Sequence, residues 1–415
     1  MRVSDEDETG RLIAPVPRVT IQGFCETQAV AETLEAAARD RRLQRAQVTT
    51  VMGGAAAALE TFLHQPTPNV IILESGADRS DILSRLDSLA EVCDAGTKVL
   101  VIGHVNDVVL YRELTRRGVS DYLIAPIATL QLIQALSDLF HAPGTNPIGR
   151  TIAVVGAKGG VGASTVAHNL AWAVAAKLST ATVIVDLDMA FGTAGLDFNQ
   201  DPPQGVAEAV FAPERLDSNL VERLLCKCGD NLSLLAAAAM LDRTIDLAET
   251  ALDQLIDLLR ASTPSVILDL PHTWTAWARR TLVSADEVVI VAAPELASLR
   301  NAKNLLDVLR SARPNDRKPR VVLNLAGMPK RPEIPAAEFA KALEMDLAAV
   351  VPFDAQLFGT AANNGQMIAE VQPGGKVTDL FVELATAISG RPEAKRRRRS
   401  VLQPLFAKFT RRKAS

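Results

Sequence analysis

The feature that most constrains this chain is a glycine-rich loop between a strand-like run and a long apolar helix. A strand-like run covers 151–155, residues 156–162 (GAKGGVG) follow at once, and a helical pattern covers 164–177. Glycines let the backbone turn its N–H groups toward phosphate oxygens, at the positive end of a helix dipole. Ser164 stands where a hydroxyl would coordinate Mg²⁺. The sequence therefore predicts a phosphate-binding P-loop.

One position departs from the general P-loop pattern. Ala163 stands immediately before Ser164, where the pattern has a lysine that supports the phosphates as charge develops during transfer. A lysine occurs earlier in the loop, at Lys158. Nucleotide binding is therefore predicted with slow or absent hydrolysis, so the protein has weak ATPase activity at most and its status as an enzyme stays open.

Short strand-like runs alternate with helical patterns in two series, which is typical of parallel sheets covered by helices on both faces. The strand-like runs lie at 19–21, 48–51, 70–73, 99–102 and 122–124, then at 151–155, 182–185, 232–235, 265–268, 287–291, 320–323 and 349–351. The clearest helical patterns lie at 29–39, 130–140, 164–177, 248–261, 297–311 and 377–389. The predicted class is α/β with two doubly wound parallel-sheet domains.

The chain of 415 residues is too long for one ordinary domain. A break in periodicity near Pro143 and Pro147 separates the two series. We expect a flexible leader at 1–17, a first domain at 18–141, a linker at 142–150, a second domain at 151–392 and a basic tail at 393–415.

The motifs of the second domain resemble, in order, those of the MinD/ParA family of dimerising P-loop ATPases. The loop 158–162 (KGGVG) matches the family's deviant P-loop, whose early lysine reaches across a dimer to the partner's nucleotide. The runs 183–188 (VIVDLD) and 266–271 (VILDLP) match two segments that carry functional aspartates. The family has a glycine two residues after Pro271, where this chain has Thr273, so we expect a stiffer or differently shaped loop there.

The resemblance implies ATP and Mg²⁺ as cofactors and a specific set of site residues. It implies Lys158 and Asp188 as catalytic residues, and Ser164 as a magnesium ligand with Asp269 in the outer coordination sphere. It implies that Lys158, Gly159, Gly160, Val161, Gly162, Ala163, Ser164, Thr165, Asn324 and Pro352 bind the nucleotide. Taken alone, the aspartates and Asn324 could instead be turn-forming residues at strand ends.

The first domain resembles a response-regulator receiver, a flavodoxin-type fold. A working receiver needs paired acids after strand one, an aspartate after strand three and a lysine before a late proline. The chain has Glu26 alone, Glu74 and Ala125 at these places. Phosphorylation chemistry is therefore predicted to be lost, and Glu74 either imitates a phosphorylated state or caps a helix. We interpret this domain as a docking or dimerisation module.

A degenerate receiver joined to a deviant P-loop domain resembles the CpaE/TadZ proteins, which localise and help assemble the Tad/Flp (type IV) pilus machinery. The stretches 23–27 (GFCET), 161–171, 232–237 and 269–272 (DLPH) carry this resemblance. It implies an ATP-binding homodimer that acts as a spatial regulator, with pilus-assembly proteins as partners. The expected place of action is the membrane or a cell pole.

The tail concentrates basic charge between residues 395 and 413, without an acidic residue. Leu405, Phe406 and Phe409 would share one face of a helix there. Basic amphipathic helices bind anionic membrane surfaces, and each basic side chain adds about 1 kcal/mol. The tail therefore predicts a peripheral position at the inner face of the membrane. A solvated charge run without a ligand is the other interpretation.

Bulk composition sets the remaining limits. No apolar run reaches the ~18 residues of a spanning helix, the N-terminus is acidic, and four cysteines give no disulfide framework, so a cytoplasmic protein is expected. Two rival functions stay open. One is a ParA-like DNA-partitioning ATPase whose tail binds nucleoid DNA, although nucleic acid is the less favoured partner. The other is a nucleotide-independent scaffold, suggested by Ala163.

Overall fold

The computed structural model describes residues 12–94, 96–140, 148–237, 241 and 245–389. These residues form a five-stranded and an eight-stranded sheet. We term residues 12–140, around the first sheet, the N-terminal unit and residues 148–389, around the second, the C-terminal unit. The predicted leader up to residue 11, the linker at 142–147 and the tail at 393–415 lie outside the described residues.

The N-terminal unit is a five-stranded parallel sheet between two layers of helices. Its strands are β1 (Thr20–Cys25), β2 (Gln47–Met52), β3 (Val70–Ser75), β4 (Lys98–Gly103) and β5 (Asp121–Ile124). Its helices are α1 (Gln28–Ala38), α2 (Gly54–Phe62), α3 (Arg79–Val92), α4 (Val108–Arg116) and α5 (Thr129–Asp138). The strand order is β2-β1-β3-β4-β5, and all neighbours are parallel.

Side chains of the buried strand β3 show why its sequence is an unbroken apolar run. Ile72 packs on the face that α1 and α5 cover, whereas Ile71 and Leu73 pack on the face of α2, α3 and α4. A strand buried on both faces has no polar alternation. The five strands lie where the apolar runs predict them.

The C-terminal unit carries the larger sheet. Its strands are β6 (Arg150–Gly156), β7 (Thr182–Asp186), β8 (Cys226–Lys227), β9 (Leu232–Leu235), β10 (Ser265–Leu270), β11 (Glu287–Ala292), β12 (Arg320–Ala326) and β13 (Ala349–Pro352). Its helices are α6 (Ala163–Lys177), α7 (Ala194–Asp197), α8 (Val206–Phe211), α9 (Ser218–Leu224), α10 (Asp253–Ser262), α11 (Ala276–Ser284), α12 (Leu296–Ala312), α13 (Ala336–Leu343), α14 (Ala355–Asn364), α15 (Ile368–Val371) and α16 (Lys376–Ile388).

The strand order of this sheet is β13-β12-β11-β6-β10-β7-β9-β8, and only the edge strand β8 is antiparallel to its neighbour. Strand β10 lies between β6 and β7, and β11 pairs with the opposite edge of β6. The chain therefore passes from β6 to β7 on one side of β6 and later crosses to β11 on the other side. Loops at the carboxyl ends of such strands form the usual ligand crevice of open α/β sheets. The predicted α/β class is confirmed.

The structure differs from the sequence predictions at two boundaries. The leader predicted for 1–17 does not reach residue 17, because Val16 is fully buried and its amide donates to the carbonyl oxygen of Arg42. The helix predicted for 248–261 begins only at Asp253, after a turn at its predicted start. The polar residues of the predicted leader gave no sign that Val16 is buried. The helix-forming residues at 248–252 gave no sign that the helix begins later.

A buried ion cluster joins the two units. It consists of Asp40, Arg41 and Arg42 from the turn after α1, and Arg260, Asp286, Arg313, Asn315 and Asp316 from the C-terminal unit. Arg41 donates to Asp316 at 2.7 Å and lies 3.2 Å from Asp286, and Arg42 also pairs with Asp316. The cluster lies at the start of β11, opposite the strand ends that form the ligand crevice.

Candidate functional site

The candidate site lies where β6, β7 and β10 end side by side. A cleft between their loops, here termed the P-loop cleft, is lined by Gly156, Lys158, Gly159, Gly160, Val161, Gly162, Ala163, Ser164, Thr165, Asp188, Asp269, Leu270, Pro271 and His272. The structure thus brings together every predicted site residue except Asn324 and Pro352. Local sequence alone places the loop, whereas the parallel strand order brings the two aspartates to it.

The loop leaves backbone amide groups free at the start of α6. Gly162 precedes the helix with φ of 78°, and the helix has no side-chain cap. The first amide groups of a helix have no intrahelical partner, so here they are available to an anion. A Cβ at Gly162 would lie 2.6 Å from Nδ2 of Asn324. Both the conformation and the close approach therefore require glycine at this position.

Lys158, the only basic residue of the loop, pairs within its own chain. Its Nζ donates to Oε1 of Glu295 at 2.5 Å, just before α12. Hydrogen bonding from Lys158 holds the pKa of Glu295 below its usual value. The Lys158 side chain is 46% exposed, so the ammonium stays at the mouth of the cleft and is not locked inside it.

Asp186 and Asp188 have different surroundings after β7. Asp186 is buried and accepts hydrogen bonds from the amides of Asp188 and Ala194. Burial, followed by the charge of Asp269, raises the pKa of Asp186 to about 6. Asp188 lines the cleft and accepts from the amide of Phe191. Asp186 therefore shapes the loop, and Asp188 is the carboxylate that a ligand would meet.

His168 links the cleft to the helix α7. Its ring is fully buried on α6, with Nδ1 2.7 Å from Asp197 and Nε2 3.4 Å from Asp269. Burial opposes the charged ring, but the hydrogen bond with Asp197 and the nearby charges of both aspartates outweigh it and raise the pKa of His168 to about 9. The protonated ring thus connects Asp269, at the cleft, to the segment that follows Asp188.

Asn324 and Pro352 lie beside the loop, outside the lining of the P-loop cleft. Asn324 is buried, and its Nδ2 donates to the carbonyl oxygen of Val161 at 2.9 Å. Its Oδ1 has no hydrogen-bond partner, and the next residue, Leu325, has a φ of 59°. Pro352 pairs with Ala326 at the end of β13. Asn324 therefore supports the loop from behind while one buried acceptor stays free.

The donor atoms of the cleft fit a magnesium ion that a nucleotide completes. Mg²⁺ is commonly held by one or two carboxylates together with phosphate oxygens and water. Ser164 and Asp269 both line the cleft, and Oδ1 of Asp269 is buried without a hydrogen-bond partner. Across the described ranges, no group of three or more His, Cys, Asp or Glu side chains is arranged to hold a metal by itself.

The N-terminal unit has a buried, hydrogen-bonded glutamate, Glu74, at the place of a receiver's phosphoacceptor. The buried carboxylate of Glu74 accepts from the amides of Glu26 and Thr27 and from the Thr27 hydroxyl, and it contacts His104. Burial raises the pKa of Glu74, but these hydrogen bonds outweigh burial and lower it. Thr27 is the N-cap of α1 and Asp78 that of α3, so Glu74 holds the turn before α1 and is not itself a helix N-cap.

Sequence reasoning gave no role to four residues in or beside the P-loop cleft: His168, Asp197, His272 and Glu295. His168 and His272 fall within the stretches 161–171 and 269–272 that carried a family resemblance, but nothing local indicates which groups they face. Glu295 lies 137 positions from Lys158 in the chain. Such pairs depend on strand order and were not readable from spacing.

Three comparisons relate the chain to known proteins. A family described as "AAA domain" matches residues 149–320. Septum site-determining protein MinD of Bacillus subtilis is 26% identical over 258 residues, which are 59% of this chain and 90% of MinD. The crystal structure of the cell division ATPase MinD from Pyrococcus furiosus is 26% identical, covers 58% of this chain and 98% of its own, and has a TM-score of 0.52.

A further relative is the pilus assembly protein CpaE from Caulobacter crescentus. Its solved structure is 45% identical to this chain, covers 32% of it and 100% of that structure, and has a TM-score of 0.31. The 45% identity extends over the whole of the CpaE structure. Together with the P-loop cleft and the MinD relatives, it shows that the chain belongs to the MinD/ParA family of P-loop ATPases, as a CpaE-type member.

Proposed function

We propose that this chain is an ATP-binding regulator of pilus assembly that dimerises through its nucleotide face and hydrolyses ATP slowly or not at all. The observation that carries the proposal is the P-loop cleft, where the free amides of α6, Lys158, Asp188 and Asp269 meet. The pilus component rests on the 45% identity to the pilus assembly protein CpaE.

Nucleotide binding would use groups that line the P-loop cleft or lie beside it. The amides at the start of α6 would bind phosphate oxygens, and Ser164 would coordinate Mg²⁺ with Asp269 in the outer coordination sphere. Mg²⁺ would neutralise phosphate charge there. The free Oδ1 of Asn324 would accept a hydrogen bond from the amino group of adenine, because its Nδ2 already donates to Val161. Pro352, which pairs with Ala326 just after Asn324, would border the base.

Dimerisation through this face is supported by exposed apolar side chains around the cleft. Phe191 is 71% exposed, Trp274 52% and Leu296 74%, and each lies in a segment that also carries a cleft residue or its partner. Large exposed apolar groups that cluster around a polar site are typical of protein interfaces. Lys158 lies among them with an exposed ammonium that a second copy can approach.

Slow hydrolysis is proposed because the cleft lacks a lysine at position 163. Ala163 lines the cleft where a lysine would stabilise charge that develops on the transferred phosphoryl group. Asp188 lines the same cleft and is the residue that we propose orients the attacking water. With this aspartate but without the lysine, the chain is suited to holding ATP for long periods.

Membrane attachment is proposed through residues 395–413, which lie outside the described residues. Within the described part of the chain, no helix combines the length and the apolar character needed to cross a bilayer. The basic and apolar residues of the tail are suited to the surface of an anionic bilayer. Attachment there would place the ATPase at the inner face of the membrane, or at a pole, beside the pilus-assembly proteins.

Titration with nucleotide and Mg²⁺ tests the central claim. We expect micromolar binding of a non-hydrolysable ATP analogue by calorimetry, and a rise in mass from 44.4 kDa to about twice that value by light scattering. Ser164→Ala should weaken Mg²⁺-dependent binding about tenfold, because it removes one oxygen ligand. Ser262→Ala, on α10 away from the cleft, is the matched control. No uptake of ATP or ADP at millimolar concentration would favour a nucleotide-independent scaffold.

Removal of residues 395–415 tests the membrane claim against DNA partitioning. We expect the full chain to float with vesicles that contain anionic lipid, and the shortened chain to stay behind. Combining Leu405→Ser, Phe406→Ser and Phe409→Ser keeps every basic residue and should also abolish flotation. If DNA retardation survives these three substitutions, falls steeply with salt and accompanies no flotation, the partitioning function is favoured.

A further inference from the structure

His272 is a cleft residue to which neither the family resemblance nor the proposed function gives a role. It follows β10 in the segment 269–272 and lines the P-loop cleft directly. Its Nδ1 lies 2.9 Å from the carbonyl oxygen of Gly156, the last residue of β6. The ring is thus fixed at the point where the strand passes into the phosphate loop.

The contact with Gly156 determines which ring nitrogen is available. A carbonyl oxygen only accepts hydrogen bonds, so Nδ1 must carry a proton and donate it. Among the described residues, Nε2 of His272 has no hydrogen-bond partner. An anion beside an imidazole favours the protonated ring, in which Nε2 also donates. A phosphate in the cleft would therefore meet a second N–H on a ring whose orientation is already set.

Among its lining residues, the cleft has more negative than positive side chains to meet a polyphosphate. Its charged lining residues are Lys158, Asp188 and Asp269, and Lys158 is paired with Glu295 at the mouth. The groove on the other side of His272 is lined by uncharged residues, among them Trp274, so no acid there competes for the ring. A polyphosphate would enter a site with two carboxylates, one engaged lysine and alanine at position 163.

We infer that His272 donates from Nε2 to a phosphate oxygen of the bound nucleotide and supplies part of the positive charge that a lysine at position 163 would give. The inference rests on the proposed ATP binding. His272 acts as a binding residue for the di- and triphosphate, and its bond to Gly156 holds the ring in place. The cleft thus takes a cation from the loop after β10 instead of from position 163.

Two amide substitutions separate phosphate binding from support of the loop. Asparagine places its N–H₂ near Nδ1 and keeps the bond to Gly156, whereas glutamine reaches the place of Nε2. We expect His272→Ala and His272→Asn to raise the calorimetric Kd of a non-hydrolysable ATP analogue and of ADP by about 10- to 100-fold. His272→Gln keeps a donor at the place of Nε2 but not the charge, so its Kd should lie between those of wild type and His272→Asn. His272 is exposed, so the variants should keep the wild-type melting temperature.

A double variant completes the test. Ala163→Lys added to His272→Ala should recover at least tenfold in affinity, because the lysine returns the missing cation to the same cleft. Wild-type affinity in His272→Asn with loss in His272→Gln would overturn the inference and leave only a supporting role for Gly156. Unchanged affinity in His272→Ala would also overturn it. Failure of the wild-type chain to bind nucleotide would instead refute the proposed ATP binding.

Discussion

Lys158→Ala is expected to abolish the ATP-dependent dimer while nucleotide binding by the monomer largely remains. In a symmetric dimer each subunit would lose one charge-assisted hydrogen bond to the partner's phosphates. At about 1.5–3 kcal/mol for each bond, two losses would raise the dimer dissociation constant by roughly 10²–10⁴. Light scattering with saturating ATP analogue and Mg²⁺ should then give the monomer mass at concentrations where the wild type is dimeric.

A substitution of Glu295, the partner of Lys158, should have the opposite effect on dimerisation. Glu295→Gln removes the charge that holds the lysine in its own chain. We expect this variant to dimerise at lower ATP-analogue concentration than wild type, since the Lys158 ammonium no longer has to break an ion pair with Glu295 before it reaches the second copy. Lys177→Ala, which removes an exposed lysine at the far end of α6, serves as the matched control. An unchanged ATP-induced dimer in Lys158→Ala would remove this mechanism.

The parts of the site that sequence predicted are those encoded locally. The loop from Gly156 to Ser164 carries its own conformational signal, because glycines and a following helix occur together in one short stretch. Apolar runs predicted the five strands of the N-terminal unit and seven of the C-terminal unit for the same reason. The short strand β8 was missed since two residues give no pattern.

The parts that sequence did not predict depend on tertiary packing. Helices α7, α8 and α9 are four to seven residues long, and helices of that length are held by their contacts more than by propensity. The partners of His168 lie 29 and 101 positions away in the chain, so only the fold identifies them. Asn324 shows a related limit, because its hydrogen bond to Val161 gives it a loop-supporting contact that spacing did not suggest.

Asp316→Asn is expected to have the largest effect on stability. The Asp316 carboxylate is 5% exposed, and it pairs with Arg41, Arg42 and Arg313. Removing one partner of a buried ion network leaves uncompensated charge and costs about 3–5 kcal/mol. We expect the melting temperature to fall on the order of 10 °C. Differential scanning calorimetry should also separate the N-terminal unit as an earlier transition, because the cluster joins the units.

The matched control and the pH dependence make this prediction specific. Asp307→Asn removes an exposed partner of Arg310 on α12 and should cost less than about 1 kcal/mol. Burial opposes the Asp316 carboxylate, but Arg41 and its neighbours outweigh it and lower the pKa from 3.8 to about 2. The stabilisation is thus fully present above pH 3.8 and is lost as the pH falls through 2, which amounts to about 2 kcal/mol. Asp316→Asn should lack this part of the acid dependence. If the variant melted in one transition at the wild-type temperature, the cluster would not hold the units together, and the pairs of Arg45 with Asp253 and Asp257 would have to do so.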